Sequence, residues 1–366
     1  MEYDLVIVGS GSVGSAAGYY ASKAGSKVLM IDSETPPHKN GSHHGATRII
    51  RCAYGEGEKY VPLVLRAKEL WTELNEITGE EVINICGVLN LGPKDSEFMK
   101  NAQSSAEKFN LNVENLSPKE VQEKWPGITA PEDYTALYEP DAGFLSSEVA
   151  VDAYIKLSKQ SGAEQLFNTT VTSVEPIENG VEITTSAGKF SSRKVLVSAG
   201  TWVKKILPDL PIQPLRKIFT WHRASEAYES IPCFIIAMGD NSYYGFPKDA
   251  KGLKVGKHDG GQKMTSIDQY VPFGEVEEDR TEVSEFLTKF MSGVGECLHG
   301  EACTYDMSPD EDFIVSTLFD GSVMLISGLS GHGFKFVAAL GEIAAMYARG
   351  EQPPVDLSPF RLQRFD

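Results

Sequence analysis

An apolar run from Leu5 to Val8 is broken by Gly9-Ser10-Gly11-Ser12-Val13-Gly14, and small residues follow from Ser15 to Lys23. A second apolar run, Val28 to Ile31, ends on Asp32. The pattern predicts strand, tight turn, helix, strand. In such a βαβ unit Gly9 allows the turn, Gly11 lets backbone approach a pyrophosphate, and Gly14 permits close packing of helix on strand. Asp32 stands where ribose hydroxyls are taken, and the helix N-terminus offers free N–H groups to phosphate. A dinucleotide site is expected.

Further along, residues 36–60 carry Gly, His, Arg and Tyr without a period and read as a long functional loop. Leu63, Leu65, Leu70 and Trp71 give helical spacing over Val61 to Leu74. Val82 to Leu91 reads as strand, Asp95 to Phe109 as helix, and prolines 126, 131 and 140 mark a turn-rich passage. Ser146 to Gly162 is again helical. Val171 to Phe190 alternates like a meander with a turn at Gly188, ahead of a short strand from Lys194 to Val197. Short strands from Arg216 to His258 precede a helix near Val283 to Met291. The chain closes with strand (Ser322 to Ser327), glycine-rich turn (Gly328 to Gly333) and helix (Phe336 to Arg349). The fold class is α/β, α+β overall: a Rossmann-like domain with an inserted mixed β-sheet domain. Expected boundaries are 1–80, 145–210 and 300–366 for the discontinuous nucleotide domain, and 81–144 and 211–299 for the substrate domain.

At 366 residues the chain can bury a large core. A formal charge of −17 argues against nucleic acid as a partner. No apolar run reaches membrane-span length, and Glu2 and Asp4 beside Met1 do not resemble a secretory signal, so a cytoplasmic location is expected. Five scattered cysteines show no metal-ligand spacing. The His43-His44 pair has no third ligand, so no metal is expected.

Several motifs occur in order: Gly41-Ser42-His43-His44-Gly45, Thr47-Arg48-Ile49-Ile50-Arg51 and Ala53-Tyr54-Gly55-Glu56-Gly57. They are followed by Tyr243-Tyr244-Gly245-Phe246-Pro247, Cys303-Thr304-Tyr305 and Ser330-Gly331-His332-Gly333-Phe334-Lys335-Phe336. With the opening unit, these make the chain resemble the covalent-flavin amine oxidases of the monomeric sarcosine oxidase and N-methyltryptophan oxidase family, over nearly its whole length. Gly55 to Ala67, Pro214 to Trp221, Thr304 to Phe313 and Leu357 to Phe365 resemble most the branch acting on an aromatic N-methyl amino acid. The resemblance implies FAD and oxidation of an N-methyl amino acid to an imine. Hydrolysis then gives formaldehyde and the primary amino acid, and O2 becomes hydrogen peroxide. Its partners are a small amino acid substrate and O2, and a monomer is expected.

By the same resemblance, Cys303 anchors FAD through a thioether to its 8α-methyl group. A thiolate is the nucleophile there, so cations lowering the thiol pKa are expected. Arg51 and Lys335 hold the substrate carboxylate, and Arg48 lies against the flavin. Fixed charge in a dry cleft suits both anions, and an Arg fork matches a carboxylate. Lys254 is the lysine of oxygen activation, where an ammonium stabilises developing superoxide. Strand alternation puts Lys254, Gly256 and His258 on one face, with Tyr244 in the same cleft. His258 can help deprotonate the amine. His44 and Tyr305 hydrogen-bond around flavin and substrate. Ala199 and Gly200 bring a strand end to the cofactor, and the Gly331-His332-Gly333 turn directs N–H groups at the flavin pyrimidine ring, with Lys335 opening the following helix.

Ala46 stands where relatives usually carry Asp, and Cys52 where they usually carry His; altered flavin tuning or attachment is the expected consequence. Three alternatives remain open. One is a sarcosine oxidase of the same family, and another is a flavin dehydrogenase using a carrier other than O2. The third is a nucleotide-binding protein without activity. A nicotinamide dehydrogenase leaves Cys303 and the closing segment unexplained.

Overall fold

The computed structural model describes residues 1–366. Its opening strand, Tyr3–Val8, is buried at nearly every position, as a strand covered on both faces must be. It pairs in parallel with Val28–Ile31 on one side and with the second half of Gly188–Val197 on the other. Glu164–Leu166 lies beyond Val28–Ile31, and Val323–Ser327 runs parallel to Val195 through Val197. Ile314–Leu318 closes that edge antiparallel, completing an eight-stranded sheet with the hairpin of Val171–Ile177 and Gly180–Thr185. Helix Ser12–Lys23 packs on this sheet against Ser147–Gln160 and Val337–Arg349. The approach is close: a Cβ on Gly341 would sit 2.5 Å from that of Ala16.

The second sheet has nine strands. Glu114–Leu116, Tyr134–Glu139, Val88–Pro93, Cys233–Met238, Asn241–Gly245, Leu253–Lys257 and Gln213–His222 follow across it. Cys297–Met307 pairs along the length of Gln213–His222, whose other edge also takes Gln262–Lys263. A three-stranded sheet of Thr47–Ile50, Gly143–Ser146 and Ile83–Ile85 joins the halves. No helix is long and apolar enough to cross a membrane.

Three departures from the sequence pattern have identifiable causes. Gly188–Val197 is one ten-residue strand, not the end of a meander followed by a separate strand. Its first half pairs with the hairpin and its second with the parallel sheet, so polar Ser191 through Lys194 mark a change of partner rather than a break. The proline-rich passage contains helix Pro118–Lys124 and strands Tyr134–Glu139 and Gly143–Ser146. A capping box starts that helix: Ser117 Oγ accepts from Glu120 N–H at 3.3 Å while Glu120 accepts from Ser117 N–H at 2.7 Å. Finally, Thr47–Ile50 is a strand inside the stretch read as loop, because its partner comes from far along the chain.

Candidate active site

The parallel strands of the first sheet end in turns at Gly9, Asp32 and Ser198–Gly200, where open α/β sheets bind ligands. Gly9 has φ +90°, and a Cβ there would lie 2.6 Å from the Ser198 carbonyl oxygen. At Gly14 a Cβ would lie 2.0 Å from the Gly9 carbonyl oxygen, so only glycine fits. Gly11 caps the helix without any side-chain hydrogen bond, which leaves its first N–H groups free. They face a cavity lined by Gly9, Gly11, Asp32, His43, Ala199 and Gly200. Ser10 N–H at 2.8 Å and Glu34 N–H at 3.0 Å hold the Asp32 carboxylate at its wall.

A second cavity adjoins the first, with Ser12, Ser42, Ser198 and Gly200 lining both. Arg48, Arg51, Tyr244, His258, Cys303 and Tyr305 line it together with Gly331, His332, Gly333 and Lys335. An uncapped helix end thus opens one end of an elongated cleft and cations gather at the other. That shape and donor set would suit FAD, with the free N–H groups of the helix available to its pyrophosphate.

Arg51 is buried, and its Nη2 donates to both Glu56 carboxylate oxygens, at 2.8 and 2.6 Å. Its Nη1 donates to Ala53 O at 3.0 Å, while Nε has no partner. Burial would raise the Glu56 pKa, but the guanidinium outweighs it and holds the carboxyl at about 2. The Ala53-Tyr54-Gly55-Glu56-Gly57 motif gives no role to Glu56 by itself; an acid between glycines just past an arginine is its signal in the sequence.

Lys335 lies at the end of a buried relay. Its Nζ donates to His332 O at 2.7 Å and to Tyr54 Oη at 3.2 Å. Tyr54 Oη is 2.7 Å from His332 Nδ1, and His332 Nε2 is 3.1 Å from Glu311 O. A carbonyl only accepts, so Nε2 carries the proton and Nδ1 accepts from Tyr54. Burial drives His332 down to about 3, keeping it neutral. Burial, reinforced by Arg51, brings Lys335 down to about 7.

Arg48 fastens the preceding loop, donating to Thr47 O at 2.8 Å and Ser42 O at 2.9 Å, and also to His44 O. Tyr244 stands opposite Gly256, where a Cβ would come within 2.6 Å of its ring. The His258 and Tyr305 rings are 5.8 Å apart across the same cavity.

Two of the predicted site residues, Lys254 and His44, stand back from the cleft. Lys254 is buried, hydrogen-bonded to Gly45 O and to Thr47 Oγ1 at 3.0 Å. It lies over Phe219 and Phe246 at 4.6 and 4.8 Å, rings that line the cavity. Burial holds its pKa well below that of an ordinary lysine. His44 is held between Glu148 at 2.9 Å and Glu301 at 3.0 Å, and those bonds raise it to about 9. His43 lines the cavity instead, neutral at about 3 because it is buried.

Cys303 pairs across the sheet with Lys217, and Arg48, Lys217 and Lys254 all pull its thiol pKa down. Burial nevertheless outweighs them and leaves the thiol above its ordinary value, contrary to the lowering expected from its cationic neighbours. Ala46 has a left-handed backbone, φ +66°. Cys52 is buried, and its N–H donates to Glu139 at 3.0 Å.

The family profile described as FAD dependent oxidoreductase matches residues 4–346. The chain is 56% identical over 370 aligned positions to N-methyl-L-tryptophan oxidase of Yersinia pestis (strain Pestoides F), covering 100% of both chains. A Yersinia pseudotuberculosis protein of the same name gives the same identity and coverage. Among solved structures, NikD, an unusual amino acid oxidase essential for nikkomycin biosynthesis, superposes with TM-score 0.85 at 21% identity, covering 98% of this chain and 97% of that one. Glycine oxidase from Geobacillus kaustophilus gives 0.82 at 20% identity, covering 99% and 98%. Those two likenesses concern the fold; the profile match and the full-length relatives place the chain itself in the FAD dependent oxidoreductase family.

Proposed function

We propose that this protein is an FAD-dependent oxidase that demethylates N-methyl-L-tryptophan, yielding the primary amino acid, formaldehyde and hydrogen peroxide. One observation supports it above the others: the cleft that suits FAD ends in two buried cations, Arg51 and Lys335, on the same cavity as Cys303. Arg51 and Lys335 would hold an amino acid carboxylate there, in the same cavity as Cys303. The aromatic side chain follows from the 56% identity to relatives named for that substrate.

Bound FAD supplies the two-electron oxidation and delivers the electrons to O2. The protein's residues do the rest. Arg51, already tied to Glu56, offers its unpartnered Nε toward the carboxylate, and Lys335 adds a second cation. His258, kept neutral by burial, accepts the proton that the substrate amine must lose. Tyr244 and Tyr305 wall the substrate in. Lys254 acts on O2 from behind Phe219 and Phe246, and Arg48 holds the loop between them. Cys303 carries the FAD as a thioether. The nucleotide-binding segments are 1–80, 145–210 and 300–366, and the protein works as a cytoplasmic monomer.

The test is peroxide release in air from N-methyl-L-tryptophan, sarcosine and L-tryptophan side by side. Release chiefly from the first is expected. Release chiefly from sarcosine would overturn the substrate. Flavin reduction without peroxide would point to a dehydrogenase.

A further inference from the structure

One pair of sulfurs lies outside the site described above. Cys86 sits between Ile83–Ile85 and Val88–Pro93, just before Gly87, which has φ +79°. Cys233 begins Cys233–Met238, which pairs in parallel with Val88–Pro93, and its N–H donates to Gly87 O at 3.1 Å. The two Sγ atoms are 3.7 Å apart, the one sulfur–sulfur contact among the five cysteines. Cys86 is half-buried and Cys233 fully buried. Both pack in an apolar cluster with Val88, Phe144, Tyr244 and Phe246. Tyr244 and Phe246 also line the cleft where peroxide would be made.

We propose that Cys86 and Cys233 form a peroxide-oxidisable dithiol that takes up the enzyme's own product and is restored by external thiols. That oxidant rests on the function proposed above. The Cys86 thiolate attacks peroxide, the O–O bond breaks, and Cys86 becomes a sulfenic acid while the departing hydroxide takes up the proton that Cys86 released on ionising and leaves as water. Cys233 then attacks the Cys86 sulfur, the S–S bond forms, and the hydroxyl leaves with the Cys233 proton as a second water. Two thiols and one peroxide thus give one disulfide and two waters.

The roles follow from the surroundings. A hydrogen bond from Cys233 holds the Cys86 thiol below its ordinary pKa, while burial pushes Cys233 well above its own. The half-buried member is therefore the one peroxide reaches as a thiolate. Closing 3.7 Å to the ~2 Å of an S–S bond requires side-chain rotation at Cys86, beside a glycine that tolerates backbone adjustment.

The FAD-loaded enzyme is treated with equimolar hydrogen peroxide, alkylated under denaturing conditions and mapped as peptides. A Cys86–Cys233 linkage that dithiothreitol reverses is expected, with Cys297 still alkylated. Both thiols alkylated, or Cys86 as sulfinic acid beside an alkylated Cys233, would overturn the proposal. The Cys86→Ser variant must lose the linkage; Cys233 bridged elsewhere in that variant would also overturn it. A second arm replaces added peroxide by N-methyl-L-tryptophan in air, with and without catalase. Linkage that catalase abolishes is expected. Released peroxide without linkage refutes oxidation by product. No released peroxide, with linkage in the first arm, leaves the dithiol standing and refutes the oxidase function.

Discussion

Lys335 offers a sharp pH test of the carboxylate site. Its ammonium is buried, repelled by Arg51 and brought down to about 7, so it is charged below neutrality and neutral above. A carboxylate ligand requires the charged form, so affinity is fully present below pH 7 and is lost as pH rises through it. The suitable probe is 3-(indol-3-yl)propanoate, which has the indole and carboxylate but no amine to titrate. With a pKa of about 7, its Ki should weaken about twofold at pH 7 relative to pH 5, and about tenfold per unit above. The weakening should level off at about 10–150-fold, the ~1.5–3 kcal/mol worth of a hydrogen bond to a charged group. Asp306 is raised by burial to about 6 and His258 is lowered by burial, so the step from pH 5 to 7 carries their titration as well, and the slope above pH 7 is the one assigned to Lys335. Lys335→Met should give a Ki already weakened to that plateau and flat from pH 7 to 9. The measurement is competitive inhibition of peroxide release, or titration of flavin absorbance. A variant that keeps the wild-type slope would refute Lys335 as the titrating group.

Ala46→Gly should stabilise the protein by ~0.5 kcal/mol, because relief of ~1–2 kcal/mol at a left-handed alanine exceeds glycine's entropic cost of ~0.4–1 kcal/mol; urea unfolding measures it. Asp279→Ala should destabilise by ~3–5 kcal/mol, since it strands Arg216, whose guanidinium donates to both Asp279 oxygens at 2.8 and 2.7 Å in the buried sheet. A loss under 1 kcal/mol in the same assay would contradict that. Cys303→Ser should yield protein whose FAD is released by acid precipitation, where wild type keeps it; retention in the variant would place the anchor elsewhere.

The opening unit was legible because each of its signals is local. Gly9, Gly14 and Asp32 act within one strand–turn–helix–strand unit. Alternation, also local, put Lys254, Gly256 and His258 on one face, and His258 lines the cleft while Lys254 stands back behind Phe219 and Phe246. What escaped depends on distant partners. Thr47–Ile50 is a strand only because Gly143–Ser146 lies beside it. His44 is charged only because Glu148 and Glu301 converge on it from separate elements. The Cys303 thiol pKa is a balance between a cationic neighbourhood, which the sequence suggested without naming Lys217 or Arg216, and a desolvation that only packing reveals. Glu56 is the exception: its partner Arg51 is five residues away, yet spacing alone does not distinguish a buried ion pair from a solvent-facing acid.

The strand Cys297–Met307 shows why the motifs at Cys303 and at Gly331 through Lys335 act together. Along it, Cys303, Tyr305 and Asp306 succeed one another at the edge of the second sheet. Asp306 Oδ2 accepts Gly328 N–H at 2.9 Å, and its carbonyl accepts Ser330 N–H at 3.1 Å. Tyr305 packs so tightly on the closing turn that a Cβ at Gly331 would lie 2.1 Å from its ring. The residue proposed to carry FAD and the turn that leads into Lys335, proposed to hold the substrate carboxylate, are therefore bolted to one strand. Displacing that strand moves both, which fixes the distance between ring system and substrate more firmly than two independent loops would. Gly331→Ala should accordingly weaken substrate affinity and turnover together, by shifting Tyr305 and the turn that bears Lys335. An effect on KM alone would show that the turn moves independently of the strand.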